Sequence, residues 1–274
     1  MNHNQKEFFL QWNTSSLISH WGEFKNYILH NNPLIAAIQE TKFNDSDASK
    51  YNFNIKGYCL YTNNLNKTPR QGGAAIYISN KLLHHQIHIQ TTLNAVALKV
   101  KIAQLDITIV SIYLSPTHPI PPELISNFIS QISSPCLILG DFNAHHMTWG
   151  CQSNSTRGKH LLSIMDKYNL IHINNLIPTH VTYRNGKASY SVIDLAITNP
   201  HIATLLTQYV ADETLFSDHY PIHYKLKVPS GQTNFNFLPR WNFRKADWTS
   251  FQNHIDESLT SDPPQILILF LTKY

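Results

Sequence analysis

At 274 residues and 42% hydrophobic content, the chain is long enough for one large α/β domain or two small ones and can fill a substantial core. A count of 21 Lys and Arg against 17 Asp and Glu leaves a formal charge of +4, which is compatible with a polyanionic partner but only weakly selective for one. Cys59, Cys136 and Cys151 make an odd set without Cys-x-x-Cys spacing, which argues against a disulfide framework or structural zinc and for a reducing compartment. The polar N-terminus has no signal-peptide core, and no apolar run reaches the ~20 residues of a membrane span. The expectation is a soluble intracellular protein.

Phe8 to Trp12 reads as a first strand. Leu17, Trp21, Phe24, Tyr27 and Ile28 then recur at helical spacing, and Asn32-Pro33 stops that helix before a strand ending at Glu40. Short strands are predicted over Tyr58 to Tyr61, Gly73 to Ile78, Ala95 to Ile102 and Ile107 to Tyr113, with Gly72-Gly73 allowing an unusual entry into the second. A proline-interrupted loop, Pro116 to Pro122, leads into a helix from about Glu123 to Ile132, then a strand running to Asp141. A further helix over Gly158 to Tyr168 and strands near Thr179 to Tyr183, Val192 to Thr198 and Pro221 to Lys227 complete the pattern. Strands outnumber helices and many are joined by short turns. That favours two packed mixed sheets flanked by helices, an α/β sandwich, over a doubly wound parallel sheet.

Val228 to Pro239 is rich in Pro, Gly, Asn and Gln, so the domain is expected to end there, with residues 5–228 as its body. Residues 229–274 are expected to hold the linker and an amphipathic helix opened by Arg240 to Trp248 and reaching about Glu257, before Pro263-Pro264 and the apolar run Ile266 to Leu271.

Four acidic clusters, each closing a strand-like run, carry the chemistry: Leu34 to Glu40, Cys136 to Asn143, Ser191 to Leu195, and Ser217-Asp218-His219. A carboxylate at a strand end reaches a cleft at the edge of a buried sheet. Glu40 is a hard oxygen ligand suited to Mg²⁺, though alone it would read as a solvated surface residue. In Gly140-Asp141-Phe142-Asn143 the glycine would permit a sharp turn, with Asp141 and Asn143 on one side and Phe142 in the core. Asp141 could then deprotonate a water while Asn143 donates to that water or to a phosphate; an Asx-turn is the blander reading. The pairing of Asp218 with His219 could also suggest a hydrolase triad, but no Gly-x-Ser-x-Gly elbow accompanies it. The adjacent His145 and His146 lack the spacing of a zinc pair, and Trp149 is expected to cap the core beneath their loop.

In this order, from Gln11-Trp12-Asn13 to Asp218-His219-Tyr220-Pro221, the motifs resemble the endonuclease/exonuclease/phosphatase superfamily. Gly140 to His146 followed by Trp149-Gly150, then Arg157-Gly158 and Ala188 to Asp194, most resemble the endonuclease domains of insect Jockey/R1-like non-LTR retrotransposons. The resemblance implies a Mg²⁺-dependent endonuclease, with Mn²⁺ as a possible substitute, nicking DNA to leave a 3′-hydroxyl that primes reverse transcription. It makes Glu40, Asp218 and Asn13 the metal side and Asp141, Asn143, His219, Asp194 and Tyr113 the catalytic side, Asp194 holding the far nitrogen of His219. An acid found two positions after the asparagine in some abasic endonucleases is Ser15 here. DNA would meet Thr182, Arg184, Lys187, Ser191 and Arg157, with Arg184 and Lys187 flanking the Asn185-Gly186 turn of a hairpin over Thr182 to Tyr190, and Lys159 a further backbone candidate. The implied setting is a monomer, nuclear when acting on DNA and without membrane contact. Element RNA and reverse transcriptase are expected partners only within a full polyprotein, of which residues 229–274 are expected to be the start of a missing or truncated downstream region. Alternatives are another phosphoesterase of the same fold, acting on abasic sites or on inositol phosphates or lipids, and an inactive DNA-binding remnant.

Overall fold

The computed structural model describes residues 8–43, 52–63, 72–227 and 247–259. The chain divides into two compact units, Met1–Phe235 and Asn236–Tyr274. In the first unit β1 (Phe8–Asn13), β2 (Ile35–Gln39), β3 (Tyr58–Thr62), β4 (Ala74–Ser79), β13 (Leu206–Val210) and β14 (Ile222–Leu226) form one six-stranded sheet in the order β13-β14-β1-β2-β4-β3. The second sheet takes β5 (Leu83–Ile87), β6 (Asn94–Ile102), β7 (Leu105–Tyr113), β8 (Cys136–Asp141), β9 (Ile171–His172) and β12 (Asp194–Thr198) in the order β5-β6-β7-β8-β12-β9. Each sheet is mixed. The pairs β1 with β2 and β7 with β8 are parallel, and the other pairings are antiparallel.

Alternation along the strands explains how these sheets stack. In β1, Phe9 packs inward with Ile35, Ile76, Ile109, Leu139 and Ala196 from both sheets, whereas Phe8, Leu10 and Trp12 face helix α1 (Trp21–Asn31) through Phe24 and Ile28. On the far side, Val110, Ile112, Ile138 and Leu195 pack against α2 (Pro122–Ser130) and α3 (Thr156–Lys167) through Phe128, Leu161 and Met165. The result is the expected sandwich of two sheets between helical layers.

Local chemistry sets the helix ends. Asn32 adopts φ 50° and returns its N–H to Ile28 O at 2.8 Å, closing α1 before Pro33. The helix expected from Gly158 begins at Thr156 because the Ser155 hydroxyl accepts the Gly158 N–H at 3.0 Å and caps it. Three strands escape the sequence pattern. The segments β5, β9 and β13 are half-exposed edges without clean apolar alternation, and α4 (Pro200–Ala203) is a single turn.

The second unit holds α5 (Trp248–Leu259); the expected opening of this helix at Arg240 lies outside the described residues. The linker from 229 to 239 and the run Ile266 to Leu271 lie outside the described residues. Among the described residues no helix is long and apolar enough to cross a membrane.

Candidate active site

Parallel pairing of β1 with β2 and of β7 with β8 brings chain positions far apart in sequence to one edge of the sandwich. Asn13 stands opposite Gln39, next to Glu40, and Tyr113 stands opposite Asp141. Asp194 joins them differently from the expectation. It opens β12 instead of closing a strand, and because β12 runs antiparallel to β8 its first residue faces Asp141. The interior approaching this edge turns polar. Gln11 Nε2 donates to Gly140 O at 2.9 Å and Gln39 Nε2 to Ser111 Oγ at 3.0 Å, so the two sheets are bonded to each other just beneath the site.

Gly140 does not have the backbone geometry of a turn, since its φ is not among the positive values. Its role is close approach: a Cβ there would lie 2.2 Å from Ile112 O and 2.5 Å from Ile112 Cγ2. The sharp turn belongs to Asn143, at φ 46°.

Asp141 is 1% exposed and accepts from the Asn143 N–H at 2.9 Å, Asn13 Nδ2 at 2.9 Å and Asn143 Nδ2 at 3.0 Å. Burial and the Asp194 charge push its pKa up, against the opposing pull of His219 and these donors. Asn143 Nδ2 also donates to Leu114 O at 3.1 Å, so this amide holds Asp141. Asn13, expected as a metal ligand, here joins the two sides: its Nδ2 also donates to Glu40 Oε1 at 3.1 Å, and its Oδ1 accepts the Ser15 N–H at 2.9 Å.

His219 is buried and presents Nδ1 to Asp194 Oδ2 at 2.8 Å. Its Nε2 lies 3.8 Å from Asp141 Oδ2 and 3.9 Å from Asp218 Oδ1. Burial alone would lower its pKa, but the carboxylates of Asp194, Asp141 and Asp218 outweigh that and hold it up at about 9. The ring is therefore a cation at neutral pH, with an N–H aimed into the gap between two carboxylates. The Tyr113 hydroxyl is kept protonated by burial and by the neighbouring Glu40 and Asp141.

Asp218 is half-exposed. Ser15 Oγ donates to its Oδ1, and His180 Nε2 stands 3.7 Å from its Oδ2. His180 foremost, then Ser15 and His219, hold the Asp218 carboxyl well below the usual carboxylate range in spite of partial burial. Lys42 pairs with Glu40 Oε2 at 3.0 Å and bonds Ser15 O. Neither His180 nor Lys42 is among the residues expected from sequence. Strand alternation could have flagged His180, which shares a face with Thr182 and Arg184.

Among the described residues the groups that could hold a cation do not include Glu40, whose Oε1 and Oε2 are met by Asn13 and Lys42. Asp218 offers carboxylate oxygens from an open side, and Asp194 Oδ1 is buried without a hydrogen-bond partner among the described residues. Two trios, Asp141 with Asp194 and His219, and His180 with Asp218 and His219, bring their ligand atoms within 4.8 Å of one another. His219 is shared by the two trios.

The hairpin β10 (His180–Arg184) and β11 (Lys187–Ser191) rises from this centre. Its two-residue loop has φ 49° at Asn185 and 73° at Gly186, the geometry that matches strand twist. Register pairs Thr182 with Ser189 and Arg184 with Lys187, so these side chains continue the face that starts at His180 and Ser191. Arg184 and Lys187 are exposed at the tip, Thr182 is half-buried, and Ser191 Oγ lies 3.0 Å from His180 Nδ1. Arg157 differs from the expectation of a free phosphate ligand. Its guanidinium donates to the carbonyls of Leu114, Phe142, Asn143, Ser115 and His118, fastening the Asp141 loop to the loop after β7. Lys159 is exposed on α3. His146 Nδ1 accepts the Thr148 N–H, and its ring packs 5.0 Å from the buried Trp149, a structural use consistent with the lack of zinc spacing.

A family model described as endonuclease-reverse transcriptase matches residues 107–223. Among curated proteins the chain is similar to the probable RNA-directed DNA polymerase from transposon BS of Drosophila melanogaster, 27% identical over 92% of this chain and 27% of that protein. It is also similar to the corresponding protein from transposon X-element of the same organism, 22% identical over 91% of this chain. The chain thus spans 27% of the length of each of these relatives. Among solved structures, the endonuclease domain of TRAS1, a telomere-specific non-LTR retrotransposon, superposes with a TM-score of 0.68 at 23% identity, covering 81% of this chain and 99% of that one. The AP endonuclease from Leishmania major superposes with a TM-score of 0.66 at 13% identity, covering 81% and 88%.

Proposed function

We propose that the chain, which is similar over residues 107–223 to an endonuclease-reverse transcriptase family and in fold to a retrotransposon endonuclease domain, is a member of the endonuclease/exonuclease/phosphatase superfamily and a Mg²⁺-dependent endonuclease that nicks one DNA strand, leaving a 3′-hydroxyl and a 5′-phosphate. The observation that carries the reading is the buried chain Asp194, His219, Asp141, joined through Asn13 to Glu40. It sets a proton acceptor, Asp141, and a cationic donor, His219, side by side, with Nε2 3.8 Å from Asp141 Oδ2. A divalent cation held by Asp218, with Mn²⁺ able to replace Mg²⁺, would supply charge stabilisation for the pentavalent transition state.

The remaining work falls to side chains. Asp141, held by Asn13 and Asn143 and with its pKa raised, takes the proton of a water aligned for attack on phosphorus as the bond to the 3′-oxygen breaks, and the departing 3′-oxygen takes a proton from solvent. His219 donates from Nε2 to a non-bridging phosphate oxygen, and Asp194 keeps that ring oriented and charged. The Tyr113 hydroxyl offers a second donor beside Glu40. Thr182, Arg184, Lys187 and Ser191 share one face of the hairpin that begins at the site, which supports their role as contacts to the DNA backbone. The product would prime reverse transcription in a longer polyprotein, where element RNA and a reverse transcriptase are the partners and the nucleus the place of action. Residues 229–274 would lead toward that region.

A supercoiled plasmid assay with and without Mg²⁺ tests the reading. Conversion to open circles only with the cation, with product ends extendable by a polymerase, is the expected result. Turnover restricted to abasic DNA or to inositol phosphates would replace it with another phosphoesterase activity, and no turnover with any of the three would favour an inactive remnant.

A further inference from the structure

His180 is an imidazole at this centre for which the proposed chemistry has no task. Its side chain is 14% exposed, its ring lies 4.5 Å from that of His219, and its two nitrogens face different partners. Nε2 points to Asp218 Oδ2 at 3.7 Å and Nδ1 to Ser191 Oγ at 3.0 Å. Main-chain bonds enforce this meeting. Val181 N donates to Asp218 O at 2.9 Å and Tyr220 N to Thr179 O at 2.8 Å, placing the root of the hairpin beside the Asp218 segment whatever side chains they carry.

Asp218 is the carboxylate that most needs such a neighbour. Its side chain is 50% exposed, whereas those of Asp141 and Asp194 are buried and locked. A half-exposed carboxylate samples several rotamers, and each one that turns away from the site weakens a cation bound there. Ser15 restrains one oxygen, Oδ1, leaving Oδ2 to be held from the hairpin side. For a neutral His180 to offer its Nε2 proton there, Nδ1 accepts, and the Ser191 hydroxyl 3.0 Å away is positioned to supply the hydrogen that fixes this tautomer.

We propose that His180 is a positioning residue which, with its tautomer set by Ser191, holds Oδ2 of Asp218 and so fixes that carboxylate for the cation. This rests on the reading of Asp218 as a cation ligand. It gives Ser191 a role behind the imidazole in place of a direct DNA contact, and it makes the base of the hairpin part of the metal site.

Mn²⁺ binding to the full chain without DNA, followed by the decline of the free-ion paramagnetic resonance signal, is the primary test. His180→Ala should weaken Mn²⁺ affinity on the order of tenfold, the usual effect of removing a partner behind a metal ligand. His180→Gln, which keeps an N–H at nearly the same reach, should recover part of that affinity, and Ser191→Ala should show a smaller drop. On an Asp218→Asn background His180→Ala should add less than about twofold, because the effect passes through that carboxylate. In plasmid nicking, the Mg²⁺ concentration for half-maximal rate should rise by the same factor, with the rate at saturating Mg²⁺ and the DNA affinity in chelator little changed. Parent-like Mn²⁺ affinity in His180→Ala, or an equal drop on the Asp218→Asn background, overturns the proposal. A parent protein that binds Mn²⁺ but nicks no DNA would refute the nuclease reading while leaving the Mn²⁺ comparison to decide the role of His180.

Discussion

Gly140→Ala adds one methyl group in the strand that delivers Asp141, and the structure allows its effect to be worked out. The new Cβ would sit 2.2 Å from Ile112 O and 2.5 Å from Ile112 Cγ2, both in the adjoining parallel strand β7. Since unstrained contact begins well beyond 3 Å, the two strands must part by roughly 1 Å at this point. The next pair in the register is Tyr113 with Asp141, and Gln11 holds the Gly140 carbonyl from the other sheet, so the displacement falls on the site itself. Overpacking of this kind costs about 1–3 kcal/mol of stability, which a well-packed domain survives. Misplacing a reacting group by about 1 Å costs on the order of 100-fold in rate. The variant should therefore unfold at a moderately lower urea concentration, keep its circular dichroism spectrum, and nick plasmid about 100-fold more slowly, mainly through kcat. Turnover within about threefold of the parent, with the predicted drop in stability, would show that the register between Ile112 and Gly140 does not position the chemistry.

Asp194→Asn should lower nicking by about 100-fold or more, because the imidazole loses the charge that orients it and keeps it protonated. His219 has a raised folded pKa, so its contribution to stability is full below the unfolded value near 6.5 and is lost as pH rises through about 9; activity that needs the cation should follow the same upper limb. In Asp194→Asn that limb should move to lower pH, and an unmoved pH profile would contradict the assignment. Replacing both Arg184 and Lys187 with Ala should lower the slope of log affinity against log salt by about 0.9 for each DNA phosphate that is no longer neutralised, and an unchanged slope would remove the hairpin tip from the DNA interface. Under native conditions at pH 8 iodoacetamide should modify Cys59, which is half-buried, well before the buried Cys136 and Cys151; burial also pushes the Cys136 thiol up to about 11. Equal labelling of all three by mass spectrometry would contradict the packing of the second sheet.

Signals carried within one short segment are readable without the fold. The runs ending at Glu40 and Asp141, the Asn185-Gly186 turn and the stop at Asn32-Pro33 each declare a local geometry, and the strands they imply are present. What stays hidden depends on register between distant segments. Ser15 meets Asp218 and Lys42 meets Ser15 only because β1, β2 and the loop before β14 end at one edge, and no periodicity encodes that meeting. Arg157 shows the converse. A basic residue at a helix start reads as a phosphate ligand, yet five nearby carbonyls compete for it, and such carbonyls are invisible in side-chain sequence. Asp194 reads from sequence at the correct edge but through the wrong end of its strand, since antiparallel pairing brings a first residue where parallel pairing brings a last one.

Thr179 makes four bonds at the foot of the hairpin. Its N–H reaches Ser191 O, its carbonyl receives the Tyr220 N–H, and its hydroxyl oxygen accepts from both Ile193 N and Asp194 N. Three of the four partners are amide hydrogens and the fourth is a carbonyl oxygen, so none depends on which side chains stand at 182–189. On the proposed nuclease reading, target preference and bond-breaking chemistry could therefore diverge at different rates within one domain, because substitutions at the tip leave these main-chain bonds at the foot in place.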